Sequence, residues 1–583
     1  MSSPPQPANA SMRRGPSGAP KAEVSWANRF AIALVAVVMA VSLFQIYARQ
    51  SAHASGKIVL SLAHWQLEPG ITEGFEYMAK RYNEERVRNG LPEIEFKQLP
   101  IPEGGYGQFV TTQLMGGTAP DLIEMGNGLP WETWIRYRAY YMVPVTSEIF
   151  KPNPYNKGTD LEHESWKNTY IDGMGVGVAE LQEYYDVGLS TFSVRLFYNK
   201  NLLKKLTTQL AAEGKIPSAL EAPPEDFREF LKLCDLMRAM EYAPGKPYLP
   251  LAGGNYQFGT MNGNIVEPLT ANLLPDIDEN MDFNPGNDET LMAMVQKKIS
   301  FDDPRVYKVM QLSRELASRF PPGYTGLNRD DGVMQFVQER SVFIATGSWD
   351  GSTLREQAKT ALHPFDVGIS RFPYVHKNDP ECGDLAWGRP YEAAGMQFPF
   401  SMTKNCKHPE IALDFLRFIT SKKGNEEFNQ RIGWIPVIKG AVPAEFLKDF
   451  KPTLYGVRSG WAPSMGNRSQ TVLDRTNPLL LLGEDTRGEP YNIDRWRKDM
   501  GEQWLPSAVE DFELRDETLR DGLPAKETVV SLLRARVLMG DEPKNYFRTR
   551  YLGACGDPMN APRNIAYWQK RLREARDKGW IKK

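Results

Sequence analysis

Gln113-Leu114-Met115-Gly116-Gly117-Thr118-Ala119-Pro120-Asp121-Leu122-Ile123-Glu124 carries the change of rhythm on which the fold turns. Residues 107–115 have helical spacing, Gly116 and Gly117 stop the helix, and Asp121-Leu122-Ile123-Glu124 restarts the chain as a strand. Upstream, Ile58-Val59-Leu60-Ser61-Leu62 reads as a strand ending at Ala63-His64-Trp65. Residues 73–86 follow as an amphipathic helix with Phe75, Met78, Ala79 and Tyr82 on one face, and Ile94-Glu95-Phe96 as a second strand. Strand, helix, strand, helix, strand predicts an α/β fold on a parallel sheet, whose ligands sit beyond the carboxyl ends of the strands. Here those ends are His64-Trp65 and Glu124-Met125-Gly126-Asn127.

The alternation returns downstream. Residues 193–198 read as a strand entering Asn199-Lys200, and 224–240 as a helix with Phe227, Phe230, Leu231 and Cys234 on one face. A helix over 306–320 and a segment 332–339 precede the strand 341–346, which ends at Gly347-Ser348-Trp349-Asp350. Residues 409–421 form another amphipathic helix. The C-terminal third is helical over 491–512 and 526–537, and Pro506 is expected to kink or interrupt the first of these. From about residue 540 the chain is rich in Lys and Arg and yields no element.

At 583 residues, with 41% hydrophobic and 24% charged side chains, the chain has length for two or three globular domains. Seventy basic residues against 72 acidic give a net charge of −2, which argues against nucleic acid as a partner. Residues 1–28 are Pro-, Ser-, Ala- and Gly-rich, an expected disordered cytoplasmic segment. Arg13, Arg14, Lys21 and Arg29 then precede the apolar run 30–47. Ala52-His53-Ala54 fits a signal-peptidase site, while the length of the run fits a retained anchor, and both readings of 29–54 stay open. Either way the positive flank places the rest of the chain outside the cytoplasm. The four cysteines, Cys234, Cys382, Cys406 and Cys555, allow one or two disulfides without specifying them.

Catalytic patterns are poorly represented. His163-Glu164-Ser165-Trp166-Lys167 lacks the second histidine of a zinc helix, and neither a G-x-S-x-G elbow nor a phosphate-binding loop occurs. Six scattered histidines make no metal site, so neither metal nor cofactor is expected. Abundant carboxylates keep an exported carbohydrate-active hydrolase as an alternative. A surface sugar-sensing or adhesion module is the other.

The order of local motifs resembles the extracellular solute-binding proteins of family 1, the carbohydrate-binding components of ABC importers. Gly74-Phe75-Glu76-Tyr77-Met78-Ala79-Lys80-Arg81-Tyr82-Asn83 is similar to the family's first helix, and residues 113–122 to its helix, Gly-rich turn and Pro-Asp strand. Leu196-Phe197-Tyr198-Asn199-Lys200-Asn201-Leu202-Leu203, residues 336–349, residues 408–421 and Asp521-Gly522-Leu523-Pro524-Ala525-Lys526-Glu527 resemble later segments in the family's order. Residues 86–90, 262–300 and 440–490 look like insertions, and the tail from about 541 has no family counterpart.

The resemblance implies a two-lobed clamp of the periplasmic-binding-protein-like type II class, with hinge strands between the lobes, behind the N-terminal apolar helix. Lobe one would combine 57–188 with 392–433, lobe two 190–387 with the helical 436–540, and 541–583 would be an extension. Crossings are expected near 188–193, 387–394 and 433–436. The implied function is non-enzymatic capture of a mono- or oligosaccharide by lobe closure, as a monomer in the periplasm or at the cell surface. The membrane permease subunits of an ABC importer are the implied partner, and the membrane itself if residues 30–47 stay attached.

A sugar has an apolar C–H face ringed by hydroxyls, so its site needs flat aromatics and buried, paired polar groups. Trp349 and Asp350 are the best such pair, since the family places a stacking aromatic at this strand end. His64, Trp65, Gln66 and Glu68 at the first strand end, and Glu124 and Asn127 at the third, are the next candidates. Trp131, then Trp387, Arg389 and Glu392 at the second crossing, and Trp434 at the third complete the expected set.

Overall fold

Short apolar runs pair into two separate mixed sheets. In the computed structural model, residues 58–581 are described, apart from 69, 130, 175–182, 280, 282–284, 393–394, 451–452, 454–455, 462 and 540–561. The apolar run 30–47 and the Ala52-His53-Ala54 site lie outside the described residues, as does Cys555. Leu60–Pro92 and Phe96–Lys583 form one compact unit, which holds the cavity described below.

The strands, in chain order, are β1 (Ile58–His64), β2 (Ile94–Pro100), β3 (Leu122–Glu124), β4 (Asp186–Ser190), β5 (Val194–Asn199), the hairpin strands β6 (Glu241–Ala243) and β7 (Lys246–Pro247), β8 (Leu249–Ala252), β9 (Ser341–Gly347), β10 (Val367–Ser370) and β11 (Gln397–Met402). One sheet has the order β2-β1-β3-β11-β4, the other β10-β5-β9-β8. β1 and β3 are parallel, with Leu62 opposite Leu122, and β11 runs antiparallel between β3 and β4. In the second sheet β8 and β9 are parallel, and β5 runs antiparallel to β9 and β10.

Alternation explains why the second sheet is buried on both faces. Leu196 and Tyr198 of β5 point into one core with Leu203, Phe230, Phe343 and Leu316, while Phe197 points into another with Phe336, Ile344 and Leu354. Helix starts follow local chemistry. Asn199, at the end of β5, accepts a hydrogen bond from Leu202 N (2.8 Å) to begin helix Lys200–Ala212, and Asp226 accepts one from Glu229 N (3.0 Å) to begin Phe227–Arg238.

The chain passes between the sheets in short links. Residues 191–193 join β4 directly to β5, residues 387–396 lead into β11, and Gly433 ends helix Lys422–Ile432 in the left-handed region (φ 72°). Thr191 and Ile435 form a β-bridge, so the first and third links run side by side.

Two C-terminal expectations are corrected. Helix Ile493–Met539 continues through Pro506 and across the break expected between 512 and 526. Its residues Trp496, Met500, Trp504, Ala508 and Phe512, four apart, are buried in a helical core with Ile277, Leu291 and Phe301. Burying that face at about 1.5–3 kcal/mol per large side chain outweighs the roughly 3 kcal/mol cost of one internal proline. The basic tail also forms structure: helix Pro562–Asp577 adds Leu572 and Ala575 to the same core, and Arg571 pairs with Glu279 at 2.9 Å. Cys234, Cys382 and Cys406 are free thiols. Among the described residues, no helix is long and apolar enough to cross a membrane.

Candidate ligand-binding cleft

β1 delivers its last residue, His64, into the interior, and the chain then turns outward through Trp65, Gln66 and Glu68 to helix Ile71–Arg88. His64 is fully buried with its ring 5.5 Å from Phe75, and burial lowers its pKa. On the neighbouring parallel strand, Glu124 is buried beneath this turn. It accepts hydrogen bonds from Gln66 Nε2 (2.8 Å) and Trp65 N (3.1 Å), and burial pushes its carboxyl up to about 8. Both residues were expected to face a ligand; neither lines the cavity described below, and both lie buried beside the turn whose Trp65, Gln66 and Glu68 do.

The opposite wall comes from β9. After Gly347 a short 3₁₀ turn, Ser348–Asp350, presents Trp349. A Cβ on Gly347 would fall 2.2 Å from the Trp349 ring, so the missing side chain is what lets the indole lie back over the strand end. Asp350 is taken up from below: Thr346 Oγ1 donates to it at 2.5 Å, and the Arg329 guanidinium donates to its other oxygen. The expected hydroxyl acceptor is therefore an anchor for Arg329.

The links between the sheets supply the floor. Phe192 stands edge-on to Trp349 (5.3 Å, 81°) and to Trp434 (4.7 Å, 84°), tying the two indoles together. Trp434 is only 1% exposed. Glu392 accepts hydrogen bonds from Arg195 Nη2 (3.0 Å) and Thr453 N (2.6 Å).

These parts enclose a cavity of about 550 Å³. Of the expected residues, Trp65, Gln66, Glu68, Trp349, Glu392 and Trp434 line it. Glu103, Phe192, Ser193, Tyr256, Asn264 and Arg329 also line it and were not anticipated. Glu103 follows the end of β2, so the strand-end rule reaches it; Tyr256, Asn264 and Arg329 come from helices, where no local signal marks them. Five polar atoms of lining residues are buried with no hydrogen-bond partner among the described residues: Trp65 Nε1, Trp349 Nε1, Arg329 Nε, Glu68 Oε2 and Ser193 Oγ. The cavity thus offers aromatic surface beside donors and acceptors ready for a polar ligand.

Other expected residues stand apart from the cavity. The loop carrying Asn127 turns back onto Gly107, where a Cβ would meet Gly128 O at 2.3 Å. Trp387, 50% exposed, lines a separate shallow depression with Tyr374 and Pro390. Arg389 pairs with Glu225 at 2.5 Å and lies over the Tyr374 ring. The Trp131 side chain is outside the described residues. Among the described residues, no group of His, Cys, Asp and Glu is arranged to hold a metal ion.

A family description, bacterial extracellular solute-binding protein, matches residues 77–451. The chain belongs to this family. Solute-binding proteins of this kind are binders, and the match ends before helices Asn467–Leu482, Ile493–Met539 and Pro562–Asp577, which pack on a core begun within it. No curated protein matches the chain. Among solved structures, one reported under xylan utilization by the thermophilic bacterium Caldanaerobius polysaccharolyticus is similar at 14% identity and a TM-score of 0.50, covering 76% of this chain and 99% of that one. A chitin oligosaccharide binding protein is similar at 15% identity and 0.49, covering 77% and 99%. The apo form of RafE from Streptococcus pneumoniae is similar at 15% and 0.49, covering 78% and 98%. At these identities the likeness is one of fold.

Proposed function

We propose that this solute-binding protein captures a carbohydrate outside the cytoplasm and delivers it to the membrane subunits of an ABC importer. The observation that carries the reading is the cavity wall. Trp65 and Trp349 offer flat apolar faces, and unpaired donors and acceptors belong to the same lining, the complement of a sugar ring. On this reading the five-stranded sheet belongs to lobe one (57–188 with 392–433) and the four-stranded sheet to lobe two (190–387, with the helical 436–540). The links 191–193, 387–396 and 433–436 act as the hinge, and closure brings Trp65 and Trp349 onto one ligand. Residues 30–47 serve export, as a cleaved signal or a retained anchor.

A thermal-shift screen of the purified chain against a glycan library tests this. A ligand that binds the native state raises the unfolding midpoint with its concentration. The expected outcome is a saturable shift with one glycan class, and the glycan recovered unchanged after incubation. Hydrolysis of the glycan, abolished by one carboxylate substitution, would make the protein an enzyme instead.

A further inference from the structure

The charges around the cavity are unevenly placed. At the Glu392 wall the carboxylate is paired with the fully buried Arg195 (3.0 Å), and Arg371 adds positive charge beside it. At the Glu68 wall the balance is reversed. Arg329 is the cation there: its Nη2 donates to Asp350, its Nε is unpartnered, and its charge also acts on Glu68. Glu68 and Glu103, which line the same end, make no ion pair among the described residues. With every carboxyl ionised, Glu68, Glu103 and Asp350 against Arg329 leave this end at −2.

Three observations say that this charge faces a ligand. Glu68 Oε2 is buried without a partner at the cavity wall. Ser193, a lining residue only 5% exposed, also has an unpartnered Oγ. Trp65, Trp349 and Tyr256 line the same space, and aromatic faces attract cations through their quadrupole. Burial raises the Glu68 pKa; the Arg329 charge opposes that rise, and the Asp350 and Glu103 charges add to it.

We propose that the glycan taken by this cavity carries a protonated amine, seated between Glu68 and Glu103 against the indole of Trp65 or Trp349. The inference rests on the carbohydrate reading and adds the charge of the ligand to it. A neutral sugar leaves the repulsion of Glu103 on Glu68 in place. An ammonium group relieves that repulsion and donates hydrogen bonds to both.

The test is calorimetric titration of the full chain with glucosamine oligosaccharides and with glucose oligosaccharides of equal length, at low and at high ionic strength, and with spermidine as a non-sugar amine. At low ionic strength the glucosamine form is expected to bind at least about tenfold more tightly, with the advantage shrinking as salt rises. In Glu68→Gln/Glu103→Gln the ratio of the two affinities falls toward one. Glu103→Gln alone, at an exposed position, lowers the ratio part of the way and serves if the double variant unfolds. Equal affinities in the wild type, or an amine advantage that survives both substitutions, overturn the inference and leave the carbohydrate reading standing. Binding of spermidine with no glycan of either kind overturns the carbohydrate reading and this inference with it.

Discussion

Gly347 lacks a Cβ, and the Trp349 ring occupies the space one would fill. Gly347→Ala therefore swings the indole away from the strand end without straining the backbone. Ligand affinity is expected to fall while the unfolding midpoint stays within about 0.5–1 kcal/mol of wild type. Trp349→Ala removes the stacking face outright and is expected to cost about 2 kcal/mol of binding, about 30-fold in affinity, with circular dichroism unchanged. If Trp349→Ala unfolds the chain, the residue is a core tryptophan; if affinity is unchanged, the ligand does not use it. Glu124 makes a different prediction. Its pKa of about 8 lies above the ordinary 4.5, so the folded state favours the protonated form. The stabilisation is fully present below about pH 4.5, falls as pH rises toward 8, and is gone beyond that, a change on the order of a few kcal/mol. Glu124→Gln begins less stable, because its amide nitrogen must face one of two N–H donors, Trp65 N or Gln66 Nε2. It should nevertheless lose less stability between pH 5 and pH 8 than wild type in urea titrations. Parallel pH profiles would mean that Glu124 is already ionised in the native state.

At the scale of elements, what could be read locally was read. The β1–β3 alternation, the Asn199 and Asp226 helix starts and the Gly347 strand end all depend on residues within a few positions of one another. From them followed the two strand-end tryptophans, Trp65 and Trp349, and the turn residues Gln66 and Glu68. Tyr256, Asn264 and Arg329 were not legible, because only the folding of distant segments brings those helices to the cavity. Glu124 and Asp350 stand at the expected strand ends but do not line the cavity, since each is claimed by a neighbour: Gln66 and Trp65 N, and Thr346 and Arg329. Pro506 does not interrupt the helix for a related reason: the proline rule is local, and the buried face of Trp496, Trp504 and Phe512 is tertiary. The basic tail hid its helix among many charges, yet Leu572 is 5% exposed in the helical core. Leu572→Ala is expected to cost about 2–4 kcal/mol of stability in denaturant titrations with ligand affinity unchanged. A matching loss of affinity would tie the helical core to the cleft.

For the whole molecule, the proposed work is closure. Thr191 and Ile435 bridge beside Phe192 and Trp434, so a hinge at these links, as proposed, would carry the aromatic floor with it. Small-angle scattering is expected to show a smaller radius of gyration with saturating ligand, and no change in the Trp65→Ala/Trp349→Ala variant. An unchanged radius with bound ligand would mean capture without closure. The central claim is that a glycan is held between the indoles of Trp65 and Trp349, and calorimetric titration of wild type beside that double variant tests it most directly. The account predicts saturable one-to-one binding of a glycan by wild type and none measurable by the folded double variant; equal affinity in the two proteins would contradict it.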